Sequence, residues 1–536
     1  MTEPIAVLVL VLTAGVFAFL IPFAAHRTHL LLLSRRAREE MRDPWPEDDL
    51  PVVTVQLPMY NERAVAERAI DAACALDYPP DRLEVQVLDD SDDRTSWLVE
   101  QRVERWRARG VDVVHLRRPT REGFKAGALA FGTERARGDF LLVLDADFVP
   151  GPDLVRALLP PMRDPDVGMV QAAWGHLNRD ASWLTEAQSY LLDGHFLFEQ
   201  GGRYRGRRFF NFNGTAGLWR RSCIDGAGGW RFDTLTEDLD LSYRAQMAGW
   251  RFAYLDDVVV PAEIPETVGA LEVQQRRWAQ GGVQTGRKIL PRLLRGPYPL
   301  RVKLEAVIHL MGHLAHPLTW ILALLLFPSA VARRALDLEH LLGLDVLLFG
   351  AATIPFLVFY WTAGERRGRP RRGRLRAVIR TLSLGIGLSI PVSRAVLRGL
   401  RPSGDPFERT PKRGRASVAT YRAPTVTADT VLKVAMAALM STYLLAAVAG
   451  GYWGQIPFIL LFLSGYLALG LPALGERLAR VARVVRGGTA QEPPPLHGQQ
   501  EEEGDPERGP DRGRLDPLAG LLIAPETEVP EECEAA

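Results

Sequence analysis

Two aspartates in VLDADF at 143–148 have a spacing that indicates chemistry. Asp145 and Asp147 follow an apolar run and lie two positions apart, and side chains at i and i+2 of a strand point the same way. Two close carboxylates repel each other unless a cation joins them, and a hard divalent ion with a nucleotide diphosphate is the usual solution. An ordinary loop at a strand end gives the same pattern.

A second acidic stretch, VLDDSDD at 87–93, also ends an apolar run. Asp89 and Asp90 come first after that run, so they are best placed to accept hydrogen bonds from the base or ribose of a nucleotide. A solvated loop or a helix cap is the alternative interpretation.

TEDLDL at 236–241 precedes a helix-like segment. Thr236 is a candidate N-cap, and the helix dipole favours Glu237 and Asp238 in the first turn. The functional interpretation makes Asp238 a general base, which must be ionised and must reach the attacking hydroxyl.

Two glycine-rich stretches indicate close approach to a ligand. Lys125 in EGFKAGAL lies between Gly123 and Gly127, an arrangement that lets the backbone approach a phosphate. FNFNGTAGLWRR at 210–221 contains Asn213 and Gly214 between aromatic residues, which is typical of a wall that contacts a sugar.

QQRRWAQGG at 274–282 combines cations with an aromatic ring. Arg276 and Arg277 together favour an anionic ligand, and the adjacent Trp278 offers a flat apolar face. The spacing does not identify either ligand.

Alternating strand-like and helix-like stretches must position these residues. Strand-like runs occur at 52–58, 84–90, 112–116 and 140–147, and helix-like segments lie between them, such as 63–76 and 93–110. This alternation predicts an α/β domain at 48–290 with a largely parallel sheet. Such sheets bind ligands at the carboxyl ends of their strands.

The first segment, 1–30, is predicted to be a transmembrane anchor. Residues 5–25 are apolar, close to the roughly 20 residues that cross a bilayer. A signal peptide would need a positive leading segment, which MTEP lacks. The basic SRRAR at 34–38 then places the N-terminus outside and the following domain in the cytosol.

A membrane domain is predicted at 291–480. Four further apolar runs are long enough to span, and they lie at 304–332, 340–363, 428–449 and 456–475. Arginines confine the uncharged run within 375–398 to thirteen residues, 381–393, so we expect an interfacial amphipathic helix there. The prediction is five spans with the C-terminus inside, followed by a disordered tail at 487–536.

The net charge and the cysteine content limit the kinds of ligand and partner that the sequence predicts. The net charge is +1, and Cys74, Cys223 and Cys533 are the only cysteines in the 536 residues. The charge indicates no nucleic-acid partner, and the cysteine spacing fits neither a zinc site nor a disulfide framework.

Taken together, QLPMYNE, VLDDSDD, GFKAGAL, DADF, FNGTAG, TEDLDL and QQRRW resemble, in order and rough spacing, the motifs of processive family 2 glycosyltransferases. The resemblance is to the cellulose-synthase-like group, and within it to glucomannan/mannan synthases. It implies an α/β glycosyltransferase type A (nucleotide-diphospho-sugar transferase) domain on an α-helical multi-span membrane domain. It also implies inverting transfer of a hexose from UDP-glucose or GDP-mannose, with Mg²⁺ or Mn²⁺, to a growing β-linked polysaccharide that is exported.

The resemblance assigns roles by motif. Donor binding falls to Asp89, Asp90, Lys125, Asp145 and Arg277, the metal to Asp145 and Asp147, catalysis to Asp238 with Glu237, and acceptor binding to Gln274, Trp278, Asn213 and Gly214. FERTPKR at 407–413 resembles a gating loop in which Thr410 and Lys412 would contact the donor.

Two alternatives stay open. The chain could be a non-processive transferase that glycosylates a lipid, or a membrane scaffold or transporter without catalysis. In each case we expect an integral protein of the plasma or inner membrane with its α/β domain in the cytosol.

Overall fold

The computed structural model describes residues 1–37, 43–401 and 428–485. The predicted gating segment 407–413, with Thr410 and Lys412, and the predicted tail at 487–536 lie outside the described residues.

A seven-stranded mixed sheet forms the centre of the first half of the chain. Its strands run in the order β3-β2-β1-β4-β6-β5-β7, and β6 pairs antiparallel with both β4 and β5 while the other pairs are parallel. The strands are β1 (Val53–Met59), β2 (Leu83–Asp89), β3 (Val113–Arg117), β4 (Phe140–Val143), β5 (Val167–His176), β6 (Gly217–Arg220) and β7 (Arg251–Ala262). The predicted α/β class is confirmed, and the four predicted strands form.

The sheet is covered on both faces, which explains why its inner strands read as continuous apolar runs. β2 is buried along its whole length, and so is β4. The helices of this region are α1 (Glu3–Leu33), α2 (Ala66–Cys74), α3 (Thr95–Arg107), α4 (Phe124–Arg135), α5 (Leu154–Leu158), α6 (Trp183–Gly194), α7 (Gly201–Arg205), α8 (Arg221–Gly226), α9 (Glu237–Met247) and α10 (Val268–Arg295). A π-helical stretch, His195–Gln200, joins α6 to α7.

The strand register brings the carboxyl ends of β1, β2 and β4 to one edge. Met59 pairs with Asp89 across β1 and β2, and Val143 pairs with Gln56 across β4 and β1. The loops that leave this edge carry the acidic motifs, so the sheet sets the spacing between them.

The described part of the chain contains five helical segments long and apolar enough to cross a membrane. They are Glu3–Leu33, Leu300–Ala335, Glu339–Arg366, Ala428–Gly450 and Trp453–Gly475, and each contains one of the predicted spans. The helices here are α11 (Leu300–Met311), α12 (Ala315–Ala335), α13 (Leu342–Arg366), α14 (Arg371–Gly387), α15 (Ser389–Gly399), α16 (Ala428–Gly450) and α17 (Ile456–Val485).

The segment 375–398 does not form the single helix that we expected. It belongs to α14 and α15, which meet at an angle of 45°. Side chains of both helices pack inside the protein, among them Leu384, Val392 and Val396. The short uncharged run therefore serves helix–helix packing, and its placement at the membrane surface stays a prediction.

Candidate active site

One cavity at the carboxyl edge of the sheet collects most of the predicted site residues. The predicted residues that line it are Asp90, Lys125, Asp145, Asp147, Asn213, Gly214, Glu237, Asp238, Gln274, Arg277 and Trp278. They come from separate loops and helices, and the fold brings them together.

Asp89 is the predicted residue that does not line this cavity. The residue is 1% exposed, and its carboxylate contacts the His115 ring at 3.0 Å and accepts a hydrogen bond from the Ser91 amide at 2.9 Å. Although burial acts to raise the pKa of Asp89, these bonds hold it below the usual value. Asp89 thus braces the loop after β2, and its predicted contact with the donor has no support in this geometry.

Asp90, by contrast, reaches the cavity while held by an arginine. Arg118 donates from Nε to Asp90 Oδ1 at 3.0 Å and from Nη2 to Asp90 Oδ2 at 2.5 Å. This two-pronged contact fixes the plane of the carboxylate, so Asp90 presents a defined acceptor edge.

Asp145 and Asp147 lie close together for a different reason from the one their spacing indicated. β4 ends at Val143, so the strand-face argument was wrong, and a turn places the two residues, with the Phe148 amide donating to the Asp145 carbonyl at 3.0 Å. Asp147 is 3% exposed and Asp145 is half-buried. Both carboxylates nevertheless line the same cavity.

Lys125 links two of the motifs. Its Nζ donates to Asp145 Oδ1 at 2.5 Å and to the Gly214 carbonyl at 2.8 Å. α4 begins immediately before it, at Phe124, after Gly123 in the left-handed region with φ 69°. The glycine lets the chain turn sharply into the helix, and Lys125 then projects from the first turn into the cavity.

Asp238 lies in the first turn of α9, as the sequence predicted. Its Oδ1 accepts a hydrogen bond from the Leu239 amide at 2.8 Å. Thr236 does not cap the helix with its side chain; its hydroxyl lies 3.1 Å from that of Thr285 on α10. Thr236 therefore occupies the predicted N-cap position, but its hydroxyl contacts α10 in place of a backbone amide of α9.

The environment of Asp238 raises the pKa of its carboxyl to about 7, first through burial and then through the neighbouring Glu237. Lys125 and Arg277 act in the opposite direction. A carboxyl that titrates near neutral pH suits a general base, because it accepts a proton readily while remaining substantially ionised.

Gly214 leaves the space that Asp238 and Lys125 occupy. Its φ is 81°, and a methyl group there would lie 3.1 Å from Asp238 Oδ2 and 3.6 Å from Lys125 Nζ. Ala216, two positions on, also adopts a positive φ of 53°. Such backbone conformations cluster at functional sites, where the surrounding structure holds them in place.

Gln274, Arg277 and Trp278 share one face of α10 because they lie at i, i+3 and i+4. All three line the cavity. Burial lowers the pKa of Arg277, whereas four carboxylates oppose this change, those of Glu237, Asp145, Asp238 and Asp147. The guanidinium therefore lies within electrostatic reach of both acidic motifs.

The donor set of Asp145 and Asp147 fits a hard divalent ion. Carboxylate oxygens are the preferred ligands of Mg²⁺ and Mn²⁺, and such ions commonly take one or two carboxylates and complete their shell with phosphates and water. Across the described ranges, no group of three or more His, Cys, Asp or Glu side chains could hold a metal ion. An ion here would therefore depend on the diphosphate of a ligand for part of its shell.

A second, larger cavity of about 450 Å³ extends among the membrane-domain helices. It is lined by apolar side chains together with polar ones such as His26, Arg27, His195, His313 and His316. The residues that line both cavities are Trp174, Leu192, Asn213, Thr236, Asp238 and Trp278.

Several lining residues escaped the sequence analysis. Tyr60, Arg121, Trp174 and His176 border the first cavity, and the Arg121 guanidinium lies 3.3 Å from the centroid of the Tyr60 ring. Tyr60 lies within the motif QLPMYNE, which was an available signal. Trp174 and His176 end β5, a strand that the sequence analysis did not identify.

Comparison with known proteins shows what the chain is similar to. A family model described as "Glycosyltransferase like family 2" matches residues 51–281. "Glucomannan 4-beta-mannosyltransferase 1" from Oryza sativa subsp. japonica is 39% identical over 320 residues, which is 56% of this chain and 61% of that protein. "Glucomannan 4-beta-mannosyltransferase 2" from Arabidopsis thaliana is 44% identical over 252 residues, 46% of this chain and 47% of that protein.

Among solved structures, a mannosyltransferase from Pyrobaculum calidifontis in complex with GDP-Man and Mn²⁺ is similar over 68% of this chain and 98% of that one, with 24% identity and a TM-score of 0.48. The chain spans about half to three-fifths of the length of the two plant relatives.

The mixed sheet and the acidic cavity at its carboxyl edge define a glycosyltransferase type A fold, joined to several long apolar helices. The family model for glycosyltransferase-like family 2 matches the part of the chain that carries this sheet and cavity, residues 51–281.

Proposed function

We propose that the chain is an inverting membrane glycosyltransferase that moves a hexose from a nucleotide sugar to a growing β-linked glycan. The main observation in support of this proposal is that some of the same residues line both cavities. Asp238 and Trp278 border both the acidic cavity and the cavity among the membrane-domain helices. A donor in the first and an acceptor in the second would meet beside a carboxylate.

Asp238 serves the acceptor side of the reaction. In an inverting transfer, the acceptor hydroxyl attacks the anomeric carbon from the face opposite the diphosphate, and a base takes the hydroxyl proton. The pKa of Asp238, raised to about 7, suits this task at neutral pH. Gly214 keeps the approach open because it carries no side chain toward Asp238.

Arg277 and Lys125 serve the leaving side. When the bond between the anomeric carbon and the diphosphate breaks, negative charge develops on the phosphate oxygens, and preorganised cations stabilise it. Asp145 and Asp147 would hold Mg²⁺ or Mn²⁺, which supplies further charge neutralisation when bound. Asp90, fixed by Arg118, accepts hydrogen bonds from the nucleoside.

The acceptor is a glycan chain in this proposal. Trp278 lies between the cavities, where an aromatic face can stack against the C–H side of a sugar ring. Of the residues that line the second cavity, Arg27 pairs with Glu199, and Arg203 pairs with Glu305, which lies behind the lining, so both arginines have their charges balanced. A balanced lining favours an uncharged chain over a phosphate-bearing lipid, which supports processive extension and export through the membrane domain.

GDP-mannose is the first donor to test, because the plant relatives are called glucomannan 4-β-mannosyltransferases. The basic segments at 34–38 and 365–374 favour a cytosolic α/β domain in the plasma or inner membrane. The test is nucleotide release by the purified chain in lipid nanodiscs, with GDP-mannose and UDP-glucose offered separately. Release of GDP or UDP that depends on acceptor supports the proposal, and no release from either donor opposes it.

A further inference from the structure

The helix that carries Gln274, Arg277 and Trp278 has a second charged face. Glu272 and Arg276 lie one turn apart on α10, on a different side from the three cavity residues. Asp429 and Lys433 likewise lie one turn apart on α16. Each helix thus offers an acid followed, four residues later, by a base.

The pairs between the two helices are crossed. Lys433 Nζ contacts Glu272 Oε1, and Arg276 Nη1 lies 3.7 Å from Asp429 Oδ2. The Lys433 side chain is 0% exposed, and that of Glu272 is 8% exposed. A buried lysine next to a buried carboxylate is costly to separate, because either charge alone would lack compensation.

α15 supports the same arrangement. Arg394 Nη1 donates to Asp429 Oδ1 at 2.5 Å. Gly399 lies so close to α10 that a methyl group there would lie 2.8 Å from the Gln280 carbonyl and 3.0 Å from Val283 Cβ. α10 is therefore held from the side that does not face the cavity.

The order of the charges makes the pairing specific. If α10 moved along α16 by one helical turn, about 5.4 Å, then Glu272 would meet Asp429 or Arg276 would meet Lys433, depending on the direction. Either shift brings like charges together in a buried place, which penalises the alternative arrangement.

We propose that Glu272, Arg276, Asp429 and Lys433 are positioning residues that set the register of α10 against α16, and thereby hold Arg277 and Trp278 at the reacting atoms. The proposal rests on the function proposed above. It follows that the membrane helix α16 takes part in the transfer reaction without touching the substrate. Arg276, the first arginine of QQRRW, then pairs with an internal carboxylate, while Arg277, the second, lines the first cavity.

A neutral replacement of the buried pair tests this role. Glu272→Gln with Lys433→Met removes both charges, so no uncompensated charge stays behind. We expect kcat for transfer to fall at least tenfold, the KM for the donor to stay within about threefold, and amide hydrogen exchange to rise in peptides of α10.

The matched control is the buried pair of Arg333 and Asp345, which joins α12 to α13 with Nη2 and Oδ1 at 2.6 Å. Arg333→Met with Asp345→Asn removes an equivalent pair elsewhere in the membrane domain, and we expect the wild-type kcat. If the Glu272→Gln, Lys433→Met variant has the same kcat as this control and the same amide hydrogen exchange in α10, the proposal is overturned.

A charge exchange separates register from stability. Lys433→Glu alone places three acids together, whereas Glu272→Lys with Lys433→Glu restores attraction in the native position. In this double variant α10 carries two positive charges and α16 carries two negative charges. The two helices therefore attract one another in the native position and also when they are shifted by one turn. We expect the double variant to recover the melting temperature relative to Lys433→Glu but not the wild-type kcat, and full recovery of kcat would contradict a register role.

Failure of the proposed function gives a different result. If the wild-type chain turns over no nucleotide sugar, that function is wrong, but hydrogen exchange in α10 still compares the variants. Increased exchange in the Glu272→Gln, Lys433→Met variant and not in the control would then still support the register role, and equal exchange would overturn it.

Discussion

Gly281 on α10 lies directly against Thr236 at the start of α9. A methyl group on Gly281 would lie 2.5 Å from Thr236 Cγ2 and 2.9 Å from the Thr236 amide nitrogen. Gly281 follows Trp278 by three residues and Arg277 by four, so this approach brings the cavity face of α10 next to Asp238. The absence of a side chain at one position sets the distance between the proposed base and the proposed sugar platform.

Gly281→Ala should therefore reduce transfer by about 10²-fold, because a misplacement of about 1 Å at a reacting centre has effects of that order. The backbone of Thr236 must yield, and we expect a cost of about 1–3 kcal/mol in stability. Initial rates and the melting temperature measure the two effects. Gly15→Ala on α1, where a methyl group meets nothing within 4 Å, is the control and should leave the rate unchanged.

The pH profile should show the ionisation of Asp238. A base acts only when ionised, and its carboxyl has a pKa raised to about 7, so kcat/KM should fall as the pH decreases below about 7. Glu237→Gln removes a charge that raises this pKa, and the acidic limb should then move to lower pH. Complete loss of transfer in Glu237→Gln at every pH would instead identify Glu237 as the base.

Removal of divalent metal should stop the reaction. EDTA should abolish transfer, and added Mg²⁺ or Mn²⁺ should restore it, because Asp145 and Asp147 offer the oxygen ligands that these ions prefer. Asp147→Asn should raise the metal concentration needed for half-maximal rate. Full activity in excess EDTA after extensive dialysis would argue against metal-assisted departure of the diphosphate.

Much of this site could be predicted from the sequence because its motifs are local. Apolar runs placed β1, β2 and β4 within a residue or two at most ends, and the resemblance of QQRRW to a known motif assigned Arg277 and Trp278 to the cavity that they line. The structure differs from the prediction where the same local sequence pattern is compatible with two conformations. β4 ends before Asp145, so a turn rather than a strand face brings Asp145 and Asp147 together.

Contacts between distant segments were beyond prediction. Nothing near Glu272 indicates that its partner is Lys433, 161 positions away, and no local pattern reveals that Asp89 contacts His115 and not the cavity. The same holds for β6, which pairs antiparallel with both of its neighbours, and for the bend between α14 and α15. In each case packing against another part of the chain decides the outcome.

Trp278→Ala should shorten the product or abolish its formation, while Trp278→Phe should retain part of the activity. Stacking on a sugar ring depends on aromatic area, and an indole offers more of it than a phenyl ring. Product length on gels or by mass spectrometry gives the readout, and the melting temperature of each variant controls for simple loss of packing. An alanine variant that melts like the wild type and makes full-length product would remove Trp278 from the acceptor site.

The most direct test of the proposed reaction is the anomeric configuration of the product, measured by NMR for the wild-type chain and for Asp238→Asn supplied with the same labelled donor. We expect the wild type to form β-linked hexose from the α-linked donor. The variant should still bind the donor but transfer about 10²- to 10⁴-fold more slowly. An α-linked product, or wild-type turnover in Asp238→Asn, would contradict inverting transfer with Asp238 as the base.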